Sequence, residues 1–373
     1  MQRAIYMDWN ATAPVRPEAA RAVMAALEAC GNPSSVHGFG RQARKVMEES
    51  RSKLAKLVGA KVENVIFTAG GTEANALALS SRGQRRLIVS AIEHDSVLKP
   101  ALAVGAETIR VDRNGVVDLD HLRSLLQQDA RSALVSLMLA NNETGVLQPV
   151  VEAARIAHEH GALLHCDAAQ AVARIAVDLG TLGADFLTLS GHKFGAPQGV
   201  GALVTNGASI SALLLGGGQE RSRRAGTENV PAIAGLGAAI AALDAEETTK
   251  VAALRDRLEQ RLLAGDPSIT VFGRNAPRLP NTLCFASGTK SSETLVMAFD
   301  LAGIAISAGS ACSSGKVRPS HVVTAMGFDA TQAGTALRVS LGHQNTTADV
   351  DAFLAAWMRI QAPDQMSQIQ PAA

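Results

Sequence analysis

Two segments decide the fold of this chain: Ala162-Leu-Leu-His-Cys-Asp167-Ala-Ala-Gln170 and Asp185-Phe-Leu-Thr-Leu-Ser-Gly-His-Lys193. Each contains a short apolar run typical of a buried strand and then turns polar. Asp167 ends the first run, and Lys193 follows the second. Ligands of parallel sheets bind at the carboxyl ends of the strands. We therefore expect these two side chains to lie close together in a ligand site.

The flanking sequence extends the same pattern. Further strands are predicted at 65–68, 87–91, 108–111, 133–139 and 200–204, and helices at 43–58 and 150–160. Alternating strands and helices indicate an α/β fold with a large, mostly parallel sheet covered on both faces. After about residue 250 the pattern changes to a smaller α+β domain, with helices at 251–264 and 293–301 and strands at 269–272, 282–285 and 336–341. We expect a large domain over 15–250 and a small domain formed by 1–14 and 251–373.

Composition narrows the class of function. Hydrophobic residues make up 47% of the 373 residues, which is enough for a full core, and the net charge of +1 argues against nucleic acid or an anionic membrane as a partner. The longest apolar run, 230–243, is shorter than the ~20 residues of a spanning helix, so a buried helix is expected. The beginning of the chain does not resemble a signal peptide, which favours the cytoplasm. The four cysteines form no C-x-x-C pair, and no metal site is predicted.

Lys193 and Asp167 suit the two ends of a pyridoxal phosphate ring. A lysine can bind the aldehyde as a Schiff base, and an aspartate can keep the ring nitrogen protonated, so that the ring accepts electrons from a carbanion. The alternatives are a surface lysine and an aspartate that caps a helix. The pairing of both residues at strand ends favours the cofactor interpretation.

A phosphate site is expected where Gly70-Gly71-Thr72 joins a strand to a helix, because helix N-termini bind anions. Ser190 and His192 are candidates for further phosphate contacts. The glycines are also compatible with a plain tight turn, and the segment is not the G-x-G-x-x-G loop of dinucleotide-binding proteins.

Other polar residues also follow predicted strands. His94 is a candidate to stack on a ring, Gln170 to bind a ring oxygen, and Asn142 to lie beside ring and substrate; a solvated histidine and an Asn-Gly turn are the alternatives. Arg338 stands alone among apolar residues on a predicted strand. It can bind a substrate carboxylate with two hydrogen bonds or form a buried structural ion pair.

Cys312 is flanked by small residues in Gly309-Ser-Ala-Cys312-Ser-Ser-Gly-Lys316. We expect an exposed thiol whose thiolate is favoured by Lys316 and Arg318, in contrast to a structural cysteine in an apolar run. The turn Gly226-Thr227-Glu-Asn follows three arginines. It is either a plain loop or a phosphate contact made across a dimer interface.

The ordered set of motifs resembles the cysteine desulfurases of the NifS/IscS type, in the class V aminotransferase family of pyridoxal phosphate enzymes. The resemblance covers nearly the whole chain. The motifs are Tyr6-Met-Asp-Trp-Asn-Ala-Thr-Ala-Pro, Gly31-Asn-Pro-Ser-Ser-Val-His-Gly, Gly70-Gly-Thr-Glu-Ala-Asn, Glu93-His-Asp-Ser-Val, Asn141-Asn-Glu-Thr-Gly, His165-Cys-Asp-Ala-Ala-Gln, Ser190-Gly-His-Lys, Arg224-Ala-Gly-Thr-Glu-Asn, Gly309-Ser-Ala-Cys and Arg338-Val-Ser-Leu-Gly.

The resemblance implies an aspartate-aminotransferase-like fold (fold type I) and a homodimer. It implies that Lys193 carries the cofactor, that Asp167, Gln170 and His94 contact the ring, and that Asn142 and Arg338 engage L-cysteine. Phosphate contacts are implied for Gly71, Thr72, Ser190 and His192, with Thr227 supplied by the other subunit. Cys312 would receive the sulfur as a persulfide, on a segment similar to that of relatives whose cysteine swings out. Trp9, where relatives often have Asn or Tyr, is expected near the substrate entrance.

Several functions stay open at this stage. A selenocysteine lyase or an aminotransferase of the same fold is the nearest alternative, and a non-enzymatic sulfur carrier or a nucleotide-binding protein is more distant. The sulfur acceptor, an iron–sulfur scaffold or another protein, is not indicated by the sequence; nitrogenase clusters, general iron–sulfur assembly and tRNA thiolation remain possible, as does transient cluster ligation by Cys312.

Overall fold

The computed structural model describes residues 4–129, 131–286, 288, 290–309 and 319–361. Within these residues the strands are β1 (Ile5–Tyr6), β2 (Val65–Thr68), β3 (Arg86–Ser90), β4 (Glu107–Ile109), β5 (Ala133–Ser136), β6 (Leu163–Asp167), β7 (Phe186–Ser190), β8 (Gly201–Thr205), β9 (Thr270–Val271), β10 (Thr282–Ala286), β11 (Ile304–Ala305), β12 (Ser307–Ala308) and β13 (Ala336–Ser340).

The helices alternate with these strands along the chain. They are α1 (Pro17–Glu28), α2 (Gly38–Leu57), α3 (Gly71–Ser80), α4 (Asp95–Ala103), α5 (Leu119–Gln128), α6 (Val150–Glu159), α7 (Leu179–Leu182), α8 (Gln219–Ser222), α9 (Val230–Ala241), α10 (Ala245–Gly265), α11 (Ser292–Leu301), α12 (His321–Ala325), α13 (Ala330–Thr335) and α14 (Thr347–Gln361).

The large sheet has seven strands in the order β2-β8-β7-β6-β5-β3-β4. Neighbouring strands are parallel except around β8, which pairs antiparallel with both β2 and β7. Strands β2, β5, β7 and β8 are buried at every position, as expected for a sheet covered by helices on both faces. The prediction of a large, mostly parallel sheet is confirmed, and β5 is shorter than the predicted 133–139.

Helix α9 occupies the apolar run at 230–243, and it is largely buried, as expected. Two glycines let neighbouring helices approach its backbone closely. A side chain at Gly237 would meet Ser50 on α2, and one at Gly235 would meet Val23 on α1. The small side chains of this run therefore serve helix packing, and no helix in the described residues is long and apolar enough to cross a membrane.

A second, four-stranded sheet in the order β12-β13-β10-β9 is antiparallel throughout. Its core includes Phe285, Phe299, Phe353 and Trp357. The chain start joins this part, because β1 pairs with β11 and Asp8 bridges to Ser340. The predicted smaller α+β part is thereby confirmed. Helix α10 crosses residue 250, and the domain limits at 15 and 250 stay a prediction.

Candidate active site

A cavity of about 800 Å³ opens where the large sheet ends at the carboxyl termini of β6 and β7 and the small sheet approaches. Its walls are formed by residues from distant parts of the chain, and most of them are polar. The lining residues that the sequence singled out are Gly71, Thr72, His94, Asn142, Asp167, Gln170, Ser190, His192, Lys193 and Arg338. Residues as distant in sequence as Gly71 and Arg338 thus share one pocket, and the convergence of the residues from the large sheet agrees with the strand-end argument.

Asp167 lies at the end of β6 and is buried. Its Oδ2 accepts a hydrogen bond of 2.8 Å from Asn75 Nδ2, and its Oδ1 accepts one of 2.9 Å from the Ala169 N–H. The second bond forms a local turn, and a turn rather than a helix follows β6, so the alternative of a helix-capping aspartate is wrong. The carboxylate also lines the cavity, where it can accept a hydrogen bond from the protonated nitrogen of a bound ring.

His94 belongs to the same network as Asp167. The amide of Asn75 also donates to Ser96 Oγ at 2.8 Å, and Ser96 Oγ lies 2.8 Å from His94 Nδ1. The Ser96 N–H donates to His94 Nδ1 as well, so His94 caps the N-terminus of α4 and its neutral form carries the proton on Nε2. Burial lowers the pKa of His94 despite the charge of Asp167. The ring is therefore a neutral, oriented imidazole at neutral pH.

Behind Asp167 lies a fully buried glutamate, Glu93. Its Oε1 accepts a hydrogen bond of 2.7 Å from the Met138 N–H, while no described residue donates to its Oε2. Burial raises the pKa of Glu93 well above its usual value, and the charge of Asp167 adds to this effect. Glu93 is thus held as a neutral acid, which leaves Asp167 as the carboxylate that faces the cavity.

Lys193 follows β7 in a short 3₁₀ turn, Gly191–Lys193. Its ammonium donates to two main-chain carbonyl oxygens, Asn10 O at 2.6 Å and Ala11 O at 2.9 Å. The N-terminal segment therefore holds this amine at the cavity wall. The Lys193 amine must leave these two carbonyl oxygens before it can react with a carbonyl compound.

The N-terminus of α3 forms another part of the wall. No side chain caps this helix at Gly70, so its first N–H groups, at Gly71 and Thr72, are available to an anion. Ser190 packs against Gly71, where an added Cβ would lie 3.3 Å from Ser190 Cβ. Burial, together with the charges of Lys193 and Arg174, lowers the pKa of His192 to about 4. This region offers neutral donors and a helix dipole to a phosphate.

Asn142 and Arg338 form the opposite wall. Asn141 makes the turn, since its Oδ1 accepts from the N–H groups of Glu143 and Thr144. Among the described residues, the buried Asn142 Oδ1 has no hydrogen-bond partner, as expected of a group that awaits a ligand. The turn alternative thus applies to Asn141, and it leaves the Asn142 side chain unexplained.

Arg338, on β13, is buried and already paired. Its Nη2 lies 2.7 Å from Asp8 Oδ1, and its Nη1 donates to Asn142 O at 3.1 Å. Its Nε is buried and finds no hydrogen-bond acceptor within the part of the chain that the structure describes. The structural ion pair and the ligand role are therefore compatible, because Asp8 fixes the guanidinium while part of its donor set stays unused.

Glu143 links this wall to the start of α12. Its Oε2 accepts a hydrogen bond of 2.5 Å from Ser320 Oγ, and Ser320 caps α12. Burial raises the pKa of Glu143 to about 7, although the Ser320 hydrogen bond and the charge of Arg338 oppose the rise. A carboxyl group that titrates near neutral pH thus lies beside Asn142 and Arg338.

Two expected residues, Thr227 and Trp9, do not line this cavity. Cys312 lies outside the described residues. Thr227 lines a separate cavity between α1, α2 and α9, so one chain by itself does not bring it to the other candidates. Trp9, expected near the substrate entrance, is buried, packs edge-on against His343 and lines a small cavity that also contacts Lys193, and its place at the entrance stays a prediction.

Sequence reasoning missed several residues that hold the site together: Asp8, Asn10, Asn75, Ser96, Glu143 and Arg174. Asn75 stands four residues beyond Gly71, so helical spacing was an available signal for Asn75. Ser96 stands two residues beyond His94. Asp8 and Arg338 are 330 residues apart, and no local pattern connects them.

Comparison with known proteins adds independent evidence. The family profile "Aminotransferase class-V" matches residues 5–353. A cysteine desulfurase from Cereibacter sphaeroides is 42% identical over 98% of this chain and 97% of its own length. One from Gluconacetobacter diazotrophicus is 44% identical over 94% of this chain and 92% of its own. The X-ray structure of a NifS-like protein from Rickettsia africae superposes with a TM-score of 0.90 at 36% identity, covering 96% of this chain and 99% of that one.

Proposed function

This chain belongs to the aminotransferase class-V family, and on that premise we propose that it is a cysteine desulfurase that uses pyridoxal phosphate. The enzyme would remove sulfur from L-cysteine, release L-alanine and hold the sulfur as a persulfide on Cys312. The observation that carries this proposal is the shared cavity of Lys193, Asp167 and Arg338, in a chain whose full-length relatives are named cysteine desulfurases.

The residues of the cavity fit the cofactor. Lys193 supplies the amine for covalent attachment, Asp167 the acceptor for the ring N–H, and His94 a neutral ring to stack upon it. The N-terminus of α3, with Ser190 and His192, would hold the phosphate. When bound, pyridoxal phosphate supplies an electron sink for the carbanion at the substrate Cα.

The chain's own residues perform the remaining steps. Arg338 binds the substrate carboxylate with charge-assisted hydrogen bonds, and Asn142 lies beside it with an unpartnered Oδ1. Lys193, as a neutral amine, would take the proton from Cα as general base. The Cys312 thiolate would attack the substrate Sγ, and the Cβ–Sγ bond would break with its electron pair left on carbon. One proton added at Cβ and one returned to Cα complete L-alanine, and the substrate sulfhydryl becomes the outer sulfur of the persulfide. The sulfur stays on Cys312.

Quaternary structure and sulfur acceptor are part of the proposal. We propose a cytoplasmic homodimer in which Thr227 reaches the phosphate of the neighbouring subunit, since Thr227 lies away from the cavity of its own chain. The acceptor would be an iron–sulfur scaffold or another sulfur-accepting protein. No role for nucleic acid or a membrane is proposed.

A product assay tests the reaction. Purified protein loaded with pyridoxal phosphate is incubated with L-cysteine, and alanine, keto acid and sulfur are quantified. Alanine and sulfane sulfur in equal amounts support the proposal; keto acid without alanine indicates an aminotransferase. A kcat/KM for L-selenocysteine far above that for L-cysteine, with little persulfide, would instead identify a selenocysteine lyase.

A further inference from the structure

Arg174 is a half-buried arginine that the proposed mechanism does not use. Its guanidinium donates to carbonyl oxygens: Gln170 O at 2.7 Å, Trp9 O at 3.2 Å, Lys193 O at 3.2 Å and the side-chain Oε1 of Gln170. Within the described part of the chain Arg174 forms no salt bridge with a carboxylate. Arg174 therefore holds several carbonyl groups of the cavity wall in place by hydrogen bonds.

The contact with Arg174 settles the orientation of the Gln170 amide. A guanidinium can only donate hydrogen bonds, so the atom that faces it must be the amide oxygen. On the other side, Gln170 Nε2 lies 3.0 Å from Asn10 O, a carbonyl oxygen that can only accept. Both neighbours therefore require the same orientation, with the oxygen toward Arg174 and the NH₂ group toward Asn10 and the cavity.

The orientation has a chemical consequence at the cavity. Gln170 is buried and lines the cavity, and its NH₂ group has two hydrogens, of which Asn10 O takes one. Asn10 O also accepts from Lys193 Nζ at 2.6 Å, so the amide lies beside the reactive amine. A flipped amide would present an acceptor to the cavity, and it would repel an anionic ring oxygen next to the lysine linkage.

We propose that Arg174 is a positioning residue that locks the side-chain amide of Gln170 with its NH₂ group toward the cofactor. Arg174 does so by donating to the Gln170 side-chain oxygen. The same guanidinium donates to the main-chain oxygens of Trp9 and Lys193. This inference rests on the proposed function, because the ligand it serves is an oxygen of the pyridoxal phosphate ring.

Charge-preserving variants separate positioning from simple electrostatics. Arg174→Lys keeps the cation but loses the planar fork that contacts several carbonyl groups at once. Gln170→Leu removes the amide. The matched control is Arg86→Lys. The Arg86 side chain is buried and, like Arg174, donates to main-chain carbonyl oxygens, here those of Leu125 and Asp129. It lies at the end of the sheet opposite the cavity.

The test measures the dissociation constant of pyridoxal phosphate and the pH midpoint of the absorbance change of the bound cofactor. Arg174→Lys and Gln170→Leu should each weaken binding about tenfold and move the midpoint in the same direction, as expected for the loss of one hydrogen bond to a charged acceptor. The double variant should match Gln170→Leu within about twofold, and Arg86→Lys should match the wild type in both measurements.

Two results would overturn the inference. One is wild-type cofactor binding and midpoint in Arg174→Lys while Gln170→Leu is impaired, because Gln170 would then keep its orientation without Arg174. The other is independent losses that multiply to about a hundredfold in the double variant. Failure of the wild-type protein to bind pyridoxal phosphate would instead contradict the proposed function itself.

Discussion

The two walls of the cavity are built in different ways. The sheet wall, which we define as Asp167, Gln170, Lys193 and His94, follows the ends of β3, β6 and β7. It is held by hydrogen bonds with main-chain groups and with the guanidinium of Arg174. The arginine wall, defined as Arg338, Asn142, Asp8 and Glu143, is held largely by buried charges from distant parts of the chain.

The contrast separates two physical tasks. The sheet wall has fixed donors and acceptors that suit a resident ring. His94 in this wall and the neighbouring His192 are neutral at neutral pH. On the arginine wall, Asp8 compensates Arg338, and Glu143 titrates near pH 7. We infer that the sheet wall determines cofactor binding and that the arginine wall determines how substrate binding and stability respond to pH.

Replacing Lys193 should break the sheet wall most severely. Lys193→Ala removes the amine that attaches the cofactor and moves the substrate Cα proton, and we expect a loss of at least about a thousandfold in kcat. Absorbance spectra should show no lysine-linked band near ~420 nm after pyridoxal phosphate is added. Lys250→Ala, at an exposed lysine, is the control and should leave both unchanged. Retention of the band in Lys193→Ala would contradict the assignment.

Glu143→Gln tests the titratable charge of the arginine wall. Because the pKa of Glu143 is raised from 4.5 to about 7 on folding, its favourable contribution is complete below about pH 4.5 and is lost as the pH rises through 7. The full difference corresponds to about 3 kcal/mol. Urea unfolding at pH 5 and pH 8.5 should therefore show a smaller loss of stability in Glu143→Gln than in the wild type.

The exposed Glu152 provides the control for this experiment. Glu152→Gln should keep the wild-type difference between the two pH values. Glu93, whose pKa is also raised by burial, contributes in the same direction in every variant, so the wild-type slope does not disappear completely. An unchanged slope in Glu143→Gln would show that this carboxyl group does not titrate in the folded protein.

Arg338→Lys tests the substrate contact. Lysine keeps the positive charge but cannot reproduce the two-pronged contact, so kcat/KM for L-cysteine should fall about thirtyfold, while the affinity for pyridoxal phosphate stays the same. Arg257→Lys, at an exposed ion pair with Asp351, should behave like the wild type. A weaker cofactor affinity in Arg338→Lys would place the arginine with the sheet wall instead.

Asn75→Ala should give the smallest effect. It removes the amide that donates to both Asp167 and Ser96, and cofactor affinity should fall about fivefold, because Asp167 loses one donor but keeps its hydrogen bond from the Ala169 N–H. Equilibrium titration with pyridoxal phosphate measures the change, with Asn114→Ala at an exposed turn as control. If Asn75→Ala binds the cofactor as tightly as the wild type, Asp167 does not depend on this donor.

The two walls also differ in how far the sequence predicted them. Asp167 and Lys193 were found because each follows an apolar run, and strand ends of a parallel sheet converge. Asn75 was quoted within a motif without a role, because only the packing of α3 against the sheet turns its amide toward Asp167. Asp8 and Glu143 gave no local signal, because their partners Arg338 and Ser320 lie 330 and 177 residues away.

The most direct test of the central claim follows the sulfur atom. Protein loaded with pyridoxal phosphate is given one equivalent of L-cysteine without a reductant, and the peptide that contains Cys312 is analysed by mass spectrometry after alkylation, with Cys312→Ser as control. We predict that this peptide gains one sulfur atom while an equal amount of L-alanine is released, and that Cys312→Ser gives neither product at the wild-type rate. Persulfide-free Cys312 with free sulfide, or alanine formed by Cys312→Ser at the wild-type rate, would contradict the account.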